Sequence, residues 1–221
     1  MQKKRIHIFT GHYGSGKSEV SLNFAISRSK TAKKTVFADL DIINPYFRSS
    51  EADNILENNG IILVTTKYAN TNVDIPALTG EVTQYLKDNE ATLIIDTGGD
   101  DAGAKVIGRY RSEIPVSDAL MYFVVNCFRP ETRTVEGVMK ILDEIRSSSK
   151  MDVDYIINNS HLMDKTTDSD IITGYEFARV VSNKTGIPIA FHSIMKENLE
   201  KIEFDFIEPV FPMDKYMNAA F

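Results

Sequence analysis

Gly11-His12-Tyr13-Gly14-Ser15-Gly16-Lys17-Ser18 is the stretch whose reading decides the fold. It fits G-x-x-x-x-G-K-[ST], with Gly11, Gly16, Lys17 and Ser18 at the fixed positions. An apolar run, Ile6-His7-Ile8-Phe9, precedes it, and Glu19 to Lys30 read as a helix, so the motif stands where a strand gives way to a helix. Gly11, Gly14 and Gly16 carry no Cβ, which lets the backbone bend tightly and turn its N–H groups onto an anion. The helix start adds unpaired N–H donors and the positive end of its dipole. Lys17 supplies a mobile positive charge for the outer phosphates, and Ser18 supplies a hydroxyl for Mg²⁺. The run from Gly11 through Glu19 is the expected cradle for nucleotide phosphates.

Outward from that stretch, apolar β-branched runs alternate with helical periodicity. Strands are expected at Thr35–Ala38, Ile61–Val64, Thr92–Ile95, Ala119–Val125, Val153–Ile157 and Pro188–Phe191. Most are continuous hydrophobic runs, the pattern of parallel strands covered on both faces. Ile75, Leu78, Val82, Tyr85 and Leu86 form one helical stripe. Val135, Val138, Met139, Leu142 and Ile145 form a second, and Ile171, Tyr175, Ala178 and Val181 a third. The alternation predicts an α/β fold: a three-layer, doubly wound, mostly parallel sheet with right-handed crossovers, the P-loop NTPase fold. Residues 1–221 show no repeat, low-complexity tract or linker, so one nucleotide-binding domain is expected.

Composition narrows the function classes. The chain is 43% hydrophobic and 25% charged, as a soluble globular protein is, and its net charge of −6 argues against a generally basic surface for nucleic acid or anionic lipid. One cysteine, Cys127, supports neither a disulfide framework nor a Cys-x-x-Cys metal pair, and it reads as a packing residue. His7, His161 and His192 do not form a metal-ligand spacing. No run approaches a membrane-spanning length, and the basic start is followed by too short an apolar run for a signal peptide, so a cytoplasmic protein is expected.

In doubly wound sheets ligands bind beyond the carboxyl ends of the strands. After the second strand stand Asp39-Leu40-Asp41, two carboxylates that could order Mg²⁺-bound water or an attacking water. After the fourth stand Asp96-Thr97-Gly98-Gly99; an Asp ending an apolar strand downstream of a P-loop fits the Mg²⁺-side carboxylate of such enzymes. Ser18, Asp39 and Asp96 are thus the expected metal-site residues. After the sixth stand Asn158-Asn159-Ser160-His161, where an Asn can hydrogen-bond a purine edge; neither Asn is followed three places on by the Asp that reads guanine, which favours adenine.

These motifs together resemble the MinD/ParA/CobQ-CobB nucleotide-binding family, a branch of the P-loop NTPases, over most of the chain. In that family the second Asp of Asp-x-Asp positions the hydrolytic water, which falls on Asp41, and the Walker B carboxylate falls on Asp96. The purine-contacting Asn falls on Asn159, because Asn159-Ser160 is similar to the Asn-Ser pair of nitrogenase-iron-protein relatives. The resemblance implies ATP or ADP with Mg²⁺, catalysis by Lys17 and Asp41, and an ATP-dependent homodimer with a protein partner not identified by the sequence. One position departs: the family's first P-loop lysine is His12 here. An imidazole near neutrality is a poor permanent counter-charge. Arg48, Arg129 and Arg133 follow strand ends and could supply charge instead; Tyr46 and Phe47 could form a partner surface. The segment from Lys215 to Phe221 is too short and too weakly basic for a MinD-like membrane helix. Three functions stay open: an ATP-hydrolysing switch, an ATP-dependent small-molecule enzyme of the dethiobiotin-synthetase or cobyrinic-acid-amidating kind, and a nucleotide sensor that hardly hydrolyses.

Overall fold

The computed structural model describes residues 4–40, 50–65, 80–98 and 101–217. The expected Asp41 falls outside that set, as do Tyr46, Phe47, Arg48, Ile75 and Leu78. Strands β1 (Ile6–Thr10), β2 (Lys34–Leu40), β3 (Ile61–Thr65), β4 (Ala91–Thr97), β5 (Ala119–Val125), β6 (Tyr155–Asn158), β7 (Ile189–Met195) and β8 (Val210–Met213) form one sheet. Its order is β3-β2-β4-β1-β5-β6-β7-β8, and every pairing is parallel. The helices are α1 (Lys17–Ser29), α2 (Ser50–Asn58), α3 (Gly80–Lys87), α4 (Asp101–Arg109), α5 (Val135–Ser149), α6 (Asp168–Thr185) and the single turn α7 (Lys196–Leu199).

The sheet is buried on both faces, which is why its strands read as apolar runs rather than alternations. One face carries Phe9, Phe37, Ile94, Tyr122 and Val124 against Val20, Phe24 and Ala25 of α1 and Leu56 of α2. The other carries Ile8, Val36, Ile95, Met121 and Phe123 against Val82 and Leu86 of α3, Val106 and Ile107 of α4, Val138 and Leu142 of α5, and Val181 of α6. Those contacts bear out the stripes at Val82 and Leu86, at Val138 and Leu142 and at Val181, although Met139 faces solvent.

Four elements were not expected, the single turn α7 among them. Strand β8 contains Pro212 in a run of only four residues, and a proline argues against a strand unless it lies at an edge; β8 is an edge strand. Helix α4 carries Gly103 and Gly108, which weaken a helical reading. The reason for Gly108 is tertiary: a Cβ there would lie 2.1 Å from the Ser148 carbonyl oxygen of α5. Helix α2 completes the set. The topology puts β1 at the centre, and the chain leaves it toward β2 on one side and reaches β5 on the other. The P-loop therefore sits at the topological switch point, where open α/β sheets bind ligands.

Candidate nucleotide-binding site

The loop after β1 turns on its glycines. Gly14 and Gly16 sit at φ +75° and +79°, in the left-handed region that favours glycine. The Ser15 N–H donates to the His12 carbonyl at 3.1 Å, and Val20 N–H to the Gly16 carbonyl at 3.1 Å, so the turn runs directly into α1. Lys17 and Ser18 open α1, two residues earlier than the sequence pattern suggests. Lys17 is buried, with 6% of its surface exposed.

Two neighbouring loops clasp this turn from outside. Arg129, in the loop after β5, donates from Nε to the Gly14 carbonyl at 2.7 Å. Asn159, after β6, donates from Nδ2 to the Ser15 carbonyl at 2.8 Å and accepts the Ser193 hydroxyl on Oδ1 at 2.7 Å. Asn158 is committed elsewhere, with its amide against His192 Nδ1 and its oxygen accepting the Ser160 N–H. Of the two asparagines only Asn159 reaches the P-loop. His161 also belongs here: its Nε2 lies 3.3 Å from where a Gly16 Cβ would stand. Its Nδ1 accepts the Met163 N–H at 3.1 Å, which places the proton of the neutral ring on Nε2. Burial, with the Arg129 charge beside it, lowers the His161 pKa to about 4, so the ring is neutral at pH 7. The sequence singled out Arg129 and Asn159 but gave His161 no role.

The acidic residues lie in register. Asp39 of β2 pairs with Asp96 of β4, and Asp96 with Phe9 of β1. Residues opposite each other in neighbouring strands share a face, and two residues back on the same strands Phe37 and Ile94 pack on the α1 side. Both carboxylates therefore leave the sheet beneath α1, whose first turn carries Lys17 and Ser18. Both are buried, Asp96 completely and Asp39 to 3% exposure. Two like charges on adjacent strands, about 5 Å apart by strand spacing, repel each other unless a cation lies nearby. Thr97, next after Asp96, donates its hydroxyl to the Phe9 carbonyl at 3.0 Å and so ties the end of β4 to the end of β1.

The remaining expected residues fall as follows. His12 points Nδ1 at the Tyr13 carbonyl, 3.1 Å away, with the Glu131 carboxylate at 3.8 Å. Tyr13 is exposed at the loop tip, and Arg133 is exposed on the surface. Glu19 does not offer its carboxylate to a ligand: Oε1 accepts the Tyr216 N–H at 2.8 Å and Oε2 the Met217 N–H at 2.9 Å. Only its backbone N–H, in the first turn of α1, remains for an anion. Cys127 is buried, which pushes its thiol pKa up.

No family model matches the chain, and no curated protein does. Solved structures do match. The signal recognition particle receptor FtsY of Elizabethkingia anophelis matches 93% of this chain and 63% of its own, at 15% identity and a TM-score of 0.58. The cell division protein FtsY of Thermotoga maritima matches 88% of this chain and 63% of its own, at 19% identity and a TM-score of 0.58. FlhF in complex with GMPPNP and Mg²⁺ matches 86% of this chain and 65% of its own, at 18% identity and a TM-score of 0.52. The chain thus spans slightly less than two thirds of each of these proteins. At such identities the likeness establishes fold: this is an α/β protein of P-loop NTPase architecture. Among the described residues no helix is long and apolar enough to cross a membrane.

Proposed function

We propose that this protein is a Mg²⁺-dependent, ATP-hydrolysing molecular switch of the MinD/ParA/CobQ-CobB kind, whose nucleotide state is read by a protein partner. The observation that carries the reading is the conjunction at the carboxyl edge of the sheet. A glycine cradle opens α1, and the in-register pair Asp39 and Asp96 lies beneath that same helix start. Residue by residue, Gly14 to Ser18 hold the phosphates, and Lys17 offsets their charge. Mg²⁺, when bound, neutralises phosphate charge, and the Ser18 hydroxyl with Asp39 and Asp96 behind it is the donor set that suits it. Asp41 orients the attacking water. Asn159 presents its second N–H to the purine while the first holds Ser15.

FlhF is a complex with GTP and Mg²⁺ in another of its structures, and an FtsY structure holds GDP. In the present chain the position three places after Asn159 is Leu162 and that after Asn158 is His161, neither of which accepts from guanine's N–H donors as a carboxylate does. Leaving those donors unpaired costs about 1–3 kcal/mol, which supports ATP over GTP. Calorimetric titration with ATP, ADP and GTP in Mg²⁺, on the natural protein and on Lys17→Ala, tests the reading. ATP should bind more tightly than GTP and be hydrolysed, and Lys17→Ala should lose most affinity while keeping its unfolding midpoint. Unchanged affinity in Lys17→Ala refutes the site; GTP bound as tightly as ATP reverses the base choice. ATP consumption that depends on an added small molecule would identify the enzyme alternative, and tight binding without turnover the sensor.

A further inference from the structure

The segment after β8, Asp214–Met217, is joined both to α1 and to the loop after β6, and neither the motif nor the fold explains that. Its two ends lie on the first turns of α1. Glu19, the residue after Ser18, accepts the N–H groups of Tyr216 and Met217. Asn23, one turn further, donates to the Asp214 carbonyl at 2.9 Å and accepts the Asp214 N–H at 2.9 Å. From the middle of the segment Lys215 reaches the loop after β6, where its ammonium meets Asp164 at 2.7 Å. Asp164 stands five residues beyond Asn159. Burial raises the Glu19 pKa, while the N–H groups of Tyr216 and Met217, the Asn23 amide and the Lys215 charge favour its charged form.

A purine that meets Asn159 while its phosphates lie on Gly14–Ser18 occupies the span between the loop after β6 and the start of α1. The segment bridges those same two elements. We propose that Asp214–Met217 is the outer wall of the nucleoside pocket, clamped at Glu19 and Asn23 and latched across the opening by the Lys215–Asp164 pair. The inference rests on the nucleotide reading above and adds to it: the base and ribose, not the phosphates, are what the segment recognises. An exposed ion pair contributes little to folding stability, so its value here lies in holding the wall in place.

The test compares ATP with inorganic tripolyphosphate, which has the phosphates and no nucleoside, on the natural chain, Lys215→Ala and Asp164→Asn. Both substitutions lie on the surface and leave the core untouched. Each should weaken ATP by about tenfold, the equivalent of one charge-assisted contact, and change tripolyphosphate by no more than about twofold. The pair also controls for charge: Lys215→Ala removes a positive charge and Asp164→Asn a negative one. Simple attraction of phosphate would therefore weaken the first and strengthen the second. A wall held by a latch weakens both. In the natural chain, ATP should slow amide exchange at Tyr216 and Met217, and tripolyphosphate should not. Opposite effects of the two variants, equal effects on the two ligands, or exchange slowed alike by both ligands would overturn the wall. If neither ligand binds the natural chain, the nucleotide reading itself fails, and the wall with it.

Discussion

Gly16→Ala isolates how the P-loop is braced. Gly16 sits at φ +79°, and a Cβ on it would lie 2.3 Å from Asn159 Nδ2. The left-handed backbone costs an alanine roughly 1–2 kcal/mol. The contact is more than 1 Å inside ordinary van der Waals separation, so the Asn159 amide must move, and its bonds to the Ser15 carbonyl at 2.8 Å and the Ser193 hydroxyl at 2.7 Å cannot both survive. A buried acceptor left without its donor costs about 1–3 kcal/mol. Together the substitution should destabilise the fold by about 2–5 kcal/mol and weaken ATP, since the displaced amide is also the proposed purine contact. Urea unfolding gives the first quantity and calorimetry the second. Asn159→Ala supplies the control: it removes the group the methyl collides with most, so adding Gly16→Ala to it should cost the backbone strain and a slight displacement of His161, whose Nε2 lies 3.3 Å away. The double variant should then be more stable than the sum of the single effects by about 1–3 kcal/mol. Strictly additive costs would show that the alanine methyl never meets Asn159, and the bracing argument would fall.

Two further outcomes test the packing and charge around the sheet. His7 has its pKa lowered to about 3, His161 to about 4 and His192 lowered from 6.5, in each case by burial first. A depressed folded-state pKa contributes stability that is complete above 6.5 and lost as pH falls toward the folded value, because the unfolded chain binds the protons more tightly. The unfolding free energy should therefore fall between pH 7.5 and 5, by up to about 1.4 kcal/mol per pH unit for each such ring; a flat profile in denaturant titrations would contradict their neutral burial. Gly108→Ala places a methyl 2.1 Å from the Ser148 carbonyl oxygen, so α4 must shift off α5. A loss of about 1–3 kcal/mol on urea unfolding is expected, with ATP affinity little changed, and an unaltered midpoint would refute the close helix contact.

What the sequence made legible is what local spacing encodes. The P-loop is contiguous, and β1 to β5 announce themselves as apolar runs with Asp39 and Asp96 at their ends. The strand boundaries of β6 and β7 were displaced: β6 runs Tyr155–Asn158 rather than from Val153, and β7 continues to Met195. Strand β8 was hidden because Pro212 is tolerable only at an edge, and edge position is a property of the finished sheet. The bracing of the site was illegible for a different reason. Asn159 meets Ser15 across 144 positions and Ser193 across 34, and Arg129 meets Gly14 across 115. No periodicity spans such distances; the topology brings the partners together. Glu19 shows the converse at its side chain. Its place beside Ser18 suggested a nucleotide contact, whereas its carboxylate serves a segment almost two hundred residues away, at Tyr216 and Met217.

A cradle whose N–H groups face an anion must turn its carbonyls outward, and buried carbonyls need donors. The P-loop can be followed oxygen by oxygen. The His12 carbonyl receives the Ser15 N–H, and the Gly16 carbonyl receives Val20 N–H from α1. The Gly14 carbonyl receives Arg129 and the Ser15 carbonyl receives Asn159. The Tyr13 carbonyl faces His12 Nδ1, which must carry its proton there, since a carbonyl only accepts. All five outward oxygens from His12 to Gly16 are matched by the protein alone. The loop is consequently shaped before any anion arrives, and an anion that binds it need not also supply the free energy of ordering it. The same matching gives His12 a local role: its Nδ1 proton is used on the loop's own backbone, beside Glu131, and Arg129 brings the guanidinium charge to the P-loop within one chain. His12 thus belongs to the bracing of the loop, one residue from the carbonyl it serves.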